Sequence, residues 1–212
     1  MLKAALVDLD GFLINSEELY LEANKIYFKR HNFEFTEEHH RQGTGKRFPE
    51  WIKTVVNIDK TGEEIFRERN IIFNELVKKK LKLLPGAKSL LEALNESFKT
   101  ALVTSSRKDY VDLVFKITGI KDYFDLVITG EIVKKGKPDP ESFLSAANKL
   151  GVKPRECVVF EDSPTGVLAG KNAGMKVVAV PSQFVKDDKI FNKADLVLRN
   201  LKQISIKEIK LL

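Results

Sequence analysis

Apolar positions along the chain follow two rhythms. Residues 2–7 form a short run that is apolar apart from Lys3 and leads through Asp8 to a turn at Asp10-Gly11, the pattern of a buried strand closed by a turn. Between residues 16 and 80 the spacing changes: Leu19, Tyr20, Ala23, Ile26 and Tyr27 recur near helical period behind Ser16, a good N-cap. Thr36 with Glu37 and Glu38 marks a second helix start, residues 48–56 a third, short helix, and residues 62–81 a long fourth one. No strand is needed in this block, which reads as a helical insertion. After Pro85-Gly86 the two rhythms alternate. Helices expected at 87–96, 108–118, 140–150 and 163–172 interleave with strands at 100–104, 126–129, 157–161 and 176–180 and a last apolar run at 196–198. These strands are brief, rich in Val and uninterrupted by polar residues, so they are buried on both faces. Repeated strand-helix units predict an α/β fold with a doubly wound parallel sheet, residues 1–14 and 82–212 forming the α/β domain and residues 15–81 the inserted helical domain.

Composition narrows the class. With 43% hydrophobic and 31% charged residues in 212, the chain is neither a disordered tail nor a fibre. It has no run of the roughly 18 apolar residues needed to span a bilayer and no basic segment leading a long apolar one, so a cytoplasmic protein without membrane association is expected. Cys157 is the sole cysteine, which excludes an intrachain disulfide and a cysteine-based zinc site and suits a reducing compartment. At the start of an apolar strand it reads as a small buried hydrophobe. The net charge of +6 permits nucleic-acid binding, but the basic residues are scattered among acids, and the densest run, Lys78-Lys79-Lys80, has the look of a solvated face. No nucleic-acid partner is expected. A small phosphorylated substrate uses positive potential equally well, and the absence of a long apolar surface stripe points to a monomer.

In a sheet of this kind, ligands bind beyond the carboxyl ends of the strands where the strand order reverses. The strand-end residues, in chain order, are Asp8 and Asp10, then Thr104-Ser105-Ser106, then Lys137 in the loop before the helix that starts at Pro140, then Glu161-Asp162. Four carboxylates around one crevice repel each other unless a cation or protons compensate, and an oxygen-rich acidic cluster suits a hard divalent ion such as Mg²⁺. A carboxylate attacks phosphorus to form an aspartyl-phosphate when cations neutralise the charge on the transferring oxygens. Asp8 fits the nucleophile. Asp10, two residues on, fits the acid that protonates the leaving oxygen and later the base that activates water. Thr104 and Lys137 fit groups that hold phosphoryl oxygens and bridge phosphate to nucleophile.

Four segments carry a resemblance: Asp8-Leu9-Asp10-Gly11-Phe12-Leu13 with Ser16, Val103-Thr104-Ser105-Ser106, Lys135-Gly136-Lys137-Pro138-Asp139-Pro140-Glu141, and Phe160-Glu161-Asp162-Ser163 with Gly166, Ala173 and Gly174. In this order they are similar to the motifs of the haloacid dehalogenase-like hydrolases, on the branch that contains beta-phosphoglucomutase and related sugar-phosphate phosphatases, and the likeness extends over essentially the whole chain. It implies Asp8 as nucleophile and metal ligand, Asp10 as acid/base whose backbone carbonyl also ligates the metal, and Glu161 with Asp162 as the acidic pair that holds Mg²⁺. It also implies that the helical block is a cap, hinged near residues 12–16 and 80–85, that closes over the substrate and excludes water. The segment Gly43-Thr44-Gly45-Lys46-Arg47 falls where caps of this branch present a specificity loop, so Lys46 and Arg47 are candidate substrate contacts, as are Ser105, Ser106 and Arg107 from the core side.

The resemblance also separates activities. Asp10 argues against the dehalogenases and phosphonate-cleaving relatives, which lack an acid there, while mutases carry a histidine where this chain has Tyr20. Hydrolysis of a small phosphomonoester, most simply a sugar phosphate, is therefore the leading expectation. A phosphomutase is the alternative, and a non-turning phosphate-ligand or protein-binding module is the reading from another class. Plainer roles stand beside these: Thr104 to Ser106 as a helix cap, Glu161-Asp162 as acids at a helix dipole, His31, His39 and His40 as surface residues, Trp51 with Phe48 and Ile52 as helical-domain core, and residues 184–191 as a packing element.

Overall fold

The computed structural model describes every residue except Gly45, so that member of the 43–47 segment lies outside the described residues. Six strands, β1 (Ala4–Val7), β2 (Lys99–Val103), β3 (Leu126–Ile128), β4 (Cys157–Glu161), β5 (Lys176–Ala179) and β6 (Leu196–Val197), form one sheet in the order β3-β2-β1-β4-β5-β6. Every pairing is parallel. The helices are α1 (Ser16–Lys29), α2 (Glu37–Gly43), α3 (Phe48–Ile52), α4 (Gly62–Lys80), α5 (Ala87–Ser97), α6 (Lys108–Thr118), α7 (Glu141–Leu150), α8 (Pro164–Asn172) and α9 (Ile206–Ile209). The chain divides into two compact units, Met1–Ile14 with Lys82–Leu212, and Asn15–Leu81.

In the first unit, alternate strand residues Ala4, Leu6, Ala101, Val103, Val159 and Val177 pack with Phe143, Ala146 and Val167 of α7 and α8 in one buried cluster. The intervening Ala5, Val7, Leu102, Val158 and Phe160 are equally buried, which is why these strands read as unbroken apolar runs. Phe184 and Phe191 are buried as well, Phe191 within that cluster, so the 184–191 segment is a packing element of the core. Cys157 is buried at the start of β4, and burial pushes its thiol up to about 11, consistent with an inert apolar role.

The second unit is helical. Helix α1 packs along α4, and α3 lies against α4. Thr36 and Thr61 close capping boxes at the starts of α2 and α4 with His39 and Glu64. Two expectations are corrected here. The third helix stops at Ile52, four residues early, because Thr54 Oγ1 donates to the Trp51 carbonyl at 2.7 Å and the β-branched Thr54-Val55-Val56 run disfavours continuation. His40 is not a surface residue: it is 8% exposed, with Nε2 at 3.1 Å from Glu17 Oε2 on α1. Glu17 supplies the polar partner that a buried imidazole requires.

Candidate active site

The strand order reverses at β1 and β4. Both chain directions away from this pair leave a crevice at their carboxyl ends. Asp8 follows β1 directly, its N–H donating to the Phe160 carbonyl of β4 at 3.0 Å, and Glu161 closes β4. Pairing Val7 with Phe160 therefore sets the two acids side by side. Carboxylate oxygens of Asp8, Glu161 and Asp162 lie within 4.8 Å of one another, all three residues buried.

Lys137 reaches this cluster from the loop before α7, and its side chain is only 7% exposed. Its Nζ donates to Asp8 Oδ1 at 2.5 Å, to Glu161 Oε1 at 2.6 Å and to the Val103 carbonyl at 3.1 Å, and it lies 5.0 Å from the ring centre of Phe143. The loop that carries it is pinned by Glu141, whose carboxylate accepts from the N–H groups of Lys134 and Lys135 at 2.9 Å each. The second oxygen of Glu161 accepts from the N–H groups of Asp162 and Ser163 and from Ser163 Oγ at 2.9–3.2 Å, and Ser163 Oγ in turn accepts from Gly166 N–H at 3.0 Å, capping α8. A Cβ on Gly166 would sit 1.8 Å from the Glu161 carboxyl carbon, so only glycine lets α8 approach this carboxylate.

Electrostatics follow from the crowding. Burial, with Glu161 and Asp10 nearby, pushes the Asp8 carboxyl up to about 8 against the pull of Lys137. Burial alone would lower the Lys137 ammonium, but the charges of Asp8 and Glu161 prevail and hold it above its ordinary value. Both directions say the same thing: three ionised carboxylates and one ammonium leave the cluster short of positive charge. That deficit, carried by oxygen donors, fits a divalent metal.

Asp10 is turned to a different set of partners. Gly11, at φ 77°, makes the turn after it. Its carboxylate accepts from Ser106 Oγ at 2.7 Å, from Tyr110 Oη at 3.2 Å and, at the long limit, from Thr104 Oγ1 at 3.4 Å. Thr104 Oγ1 also accepts from Ser106 N–H at 3.0 Å, so it orders the turn into α6 as well as facing the acid. Asp8 and Asp10 thus leave one strand end with distinct partners, an ammonium for the first and hydroxyls for the second.

The remaining candidates are exposed. Ser105 is exposed, and Arg107 is exposed and paired with Glu131 at 3.3 Å and Asp109 at 3.5 Å. In the helical unit Lys46 is exposed, and Arg47, also exposed, pairs with Glu50 at 2.9 Å and Glu63 at 3.9 Å. Two residues were absent from the sequence reading. Tyr110 stands in the first turn of α6, four residues after Ser106, a spacing that returns a helical side chain to the same face. Arg69 is buried inside the helical unit.

Comparison with known proteins agrees with this geometry. The family model for haloacid dehalogenase-like hydrolases matches residues 5–180. Hexitol phosphatase A of Escherichia coli K12 is 36% identical over 210 residues, covering 96% of this chain and 94% of that protein. Validoxylamine A 7'-phosphate phosphatase of Streptomyces hygroscopicus subsp. limoneus is 32% identical over 211 residues, covering 96% of each. The crystal structure of beta-phosphoglucomutase from Clostridium difficile shares the fold at a TM-score of 0.79, with 24% identity over 100% of this chain and 96% of that one. A family match across most of the chain, relatives of matching length and a strand-end cluster of Asp8, Lys137, Glu161 and Asp162 place the protein among the haloacid dehalogenase-like hydrolases, on the branch of sugar-phosphate phosphatases and beta-phosphoglucomutases.

Proposed function

We propose that the protein is a Mg²⁺-dependent phosphatase that hydrolyses a small phosphomonoester, a sugar phosphate in the first instance, through an aspartyl-phosphate on Asp8. The observation that carries the reading is the division of labour at one strand end: Asp8 on the Lys137 ammonium at 2.5 Å, Asp10 on the Ser106 and Tyr110 hydroxyls at 2.7 and 3.2 Å. A binding module has no use for two carboxylates so close in sequence and so differently supported. Asp8 and Asp162, with Glu161 beside them and the Asp10 carbonyl, would hold a divalent ion, which would supply positive charge that keeps the buried acids ionised and offsets charge on the phosphoryl oxygens.

An Asp8 oxygen attacks phosphorus, the new O–P bond forms and the ester O–P bond breaks, while Asp10 gives its proton to the departing alkoxide. Water then attacks the phosphorus of the acyl phosphate, Asp10 takes its proton back from that water, and inorganic phosphate leaves with Asp8 restored. Lys137 neutralises charge beside the nucleophile in both steps. Thr104, Ser105 and Ser106 supply hydroxyl and N–H donors at the strand end, and Arg107, Lys46 and Arg47 are the cations available to a substrate's distal oxygens. Hydrolysis is favoured over phosphoryl return to a second hydroxyl by Tyr20. Its ring stacks on Phe73 at 3.9 Å with an interplanar angle of 1°, a packing role in place of a titrating imidazole.

The test is phosphate release from a panel of sugar phosphates and other small phosphomonoesters, with and without Mg²⁺. Release that requires the ion and vanishes in Asp8→Asn is the expected result. Isomer formation in the presence of a bisphosphate primer, without release, would transfer the reading to the mutase, and neither product would return the chain to a non-turning binding module.

A further inference from the structure

Helix α6 begins without a cap of its own. Its N-cap position is Arg107, whose side chain makes no capping hydrogen bond among the described residues and, as a guanidinium, has no acceptor to offer. The first N–H groups of a helix have no partner within it and need acceptors from elsewhere. Asp109 supplies one locally, its Oδ1 accepting from Tyr110 N–H at 3.0 Å. The N–H of Lys108 is met from further along the chain: Glu131 Oε2 accepts from it at 2.9 Å, while Glu131 Oε1 faces Arg107 Nη2 at 3.3 Å. A carboxylate at this end of a helix is also favoured by the helix dipole.

Glu131 stands in the turn that follows β3, and this turn grips the segment before α6 at further points. Thr104 N–H donates to the Ile128 carbonyl at 3.0 Å, and Gly130 N–H to the Ser106 carbonyl at 2.9 Å. A Cβ on Gly130 would lie 2.2 Å from the Ser105 carbonyl oxygen, so the two backbones meet where a side chain would part them. The segment so held carries the hydroxyls that face Asp10. Ser106 Oγ reaches Asp10 Oδ2 at 2.7 Å from just before the N-cap, and Tyr110 Oη reaches Oδ1 at 3.2 Å from the first turn. In sequence the two flank Lys108, whose N–H Glu131 holds. Helix ends fray when nothing fastens them, and fraying here would move both hydroxyls at once.

We propose that Glu131 is a positioning residue for the acid step: by capping α6 from the β3 turn it fixes the Ser106 and Tyr110 hydroxyls, and through them the direction of the Asp10 carboxylate. It acts through the helix it caps and not on the reacting atoms. Its part in turnover rests on the phosphatase reading, whereas the brace itself does not. The loop between β3 and α7 then serves both acids of the strand end. Its start sets Asp10 by way of α6, and its far end, where Glu141 holds the Lys134 and Lys135 N–H groups, sets Lys137 against Asp8.

The test compares kcat for an alkyl phosphate, whose leaving oxygen needs a proton, with that for the phosphate of a strongly acidic phenol, which departs without one. Glu131 is exposed, so Glu131→Ala leaves the core intact. It should lose about tenfold in kcat on the alkyl ester, part of the roughly 10²–10⁴-fold that a positioned acid contributes, with KM and the aryl ester little changed. Glu131→Gln should stay within about twofold of the wild type, because its amide oxygen accepts from the same N–H. Gly130→Ala pushes a methyl onto the Ser105 carbonyl, disturbs the same segment from its other side, and should also spare the aryl ester more than the alkyl one. Equal losses on the two esters would give Glu131 a role in stability alone, and a Glu131→Gln as impaired as Glu131→Ala would assign the effect to the ion pair with Arg107; either result overturns the proposal. Deuterium exchange of the Ser106 and Lys108 amides, followed by NMR, needs no turnover. Ser106 N–H is bound to Thr104 Oγ1 at 3.0 Å, and both amides should exchange about tenfold faster in Glu131→Ala and at the wild-type rate in Glu131→Gln. If the wild type releases phosphate from no ester, the phosphatase reading fails by itself and exchange decides: faster exchange in Glu131→Ala keeps the brace on Asp10, and unchanged exchange overturns it.

Discussion

Two basic side chains buried among the described residues, Lys137 and Arg69, are treated in opposite ways. Lys137, its side chain 7% exposed, sits between Asp8 and Glu161 at 2.5 and 2.6 Å and is outnumbered by acids. Arg69, 3% exposed, sits among aromatic rings, its Nε and Nη1 without a hydrogen-bond partner among the described residues. A buried charge is stable only when something compensates it. At Lys137 the protein has done so and gone past balance, creating a demand for more positive charge, which a divalent ion meets. At Arg69 the compensation comes from aromatic faces and from the charge of Glu17. The lesson is that a buried ion is read by what surrounds it: excess carboxylate suits a divalent metal, whereas a guanidinium held by aromatic faces is a packing element.

The comparison is sharpest when both cations are replaced by methionine. Lys137→Met removes the ammonium that pairs with Asp8 and Glu161 in the buried acidic cluster, and breaking such a pairing costs about 3–5 kcal/mol of stability. Turnover should fall by about 10²–10³-fold, the scale of losing one preorganised electrostatic contact at the reacting group. Arg69→Met, by contrast, should leave stability unchanged or improve it. Equilibrium denaturation of the two variants in parallel checks the signs, and a similar loss in both would remove the distinction drawn between the two regions.

A smaller effect tests how tightly the acidic side is built. Gly166→Ala places a methyl where the Glu161 carboxyl carbon stands, 1.8 Å from the ideal Cβ position. Either α8 or Glu161 must shift, and overpacking of this kind costs about 1–3 kcal/mol. The activity loss should exceed what that destabilisation explains, since Glu161 also positions Lys137. Denaturation and turnover measured on the same sample separate the two.

Metal addition probes the same excess of negative charge by another route. The Asp8 proton, held up to about 8 by burial and neighbouring acids, competes with the ion for one carboxylate. A group whose folded value is raised contributes stability at low pH and loses it as pH rises through that value. The metal-free protein should therefore lose stability from this group as pH rises toward about 8, and stabilisation by Mg²⁺ should grow over the same interval. Melting temperatures with and without Mg²⁺ across that range give the comparison. A shift independent of pH would mean that Asp8 is not a ligand.

What was legible in the sequence, and what was not, follows the same division. The strand-end chemistry lies in contiguous segments, Asp8 to Gly11, Lys137 to Glu141 and Glu161 to Ser163, where acids, lysine and glycine interrupt apolar strands at their ends. Such interruptions are visible along one dimension. The alternation of short apolar runs with helical periods also foretold the parallel sheet, because strands buried on both faces show no alternation of apolar with polar residues. Arg69 was hidden by its neighbours: in Phe66-Arg67-Glu68-Arg69-Asn70 it passes for one more charge on a solvated face. The signal was nevertheless present, since Ile65, Arg69 and Phe73 fall four residues apart on one helix face, which puts a cation on a core stripe. His40 was missed for the same reason, its partner Glu17 lying 23 residues away. The early end of α3 depended on a side-chain hydroxyl competing for a main-chain carbonyl, which apolar periodicity does not register.

The smallest expected effect concerns Tyr110, which separates the two acids of the strand end. Its hydroxyl donates to Asp10 Oδ1 at 3.2 Å while Ser106 holds Oδ2 at 2.7 Å, so the two together fix the direction in which the acid presents itself. Tyr110→Phe keeps the ring and removes only the outer of these contacts. If Asp10 delivers the proton to the leaving oxygen, the variant should lose about tenfold in kcat on sugar phosphates, whose alkoxides need that proton, with KM little changed. An aryl phosphate with a strongly acidic phenol departs without protonation, so its kcat should be nearly unaffected where that step limits the rate. A general weakening of the fold would lower both substrates alike. Equal losses on the two would therefore assign Tyr110 to structure, whereas a loss confined to the alkyl esters ties it to the acid and extends the distinction between Asp8 and Asp10 by one more residue.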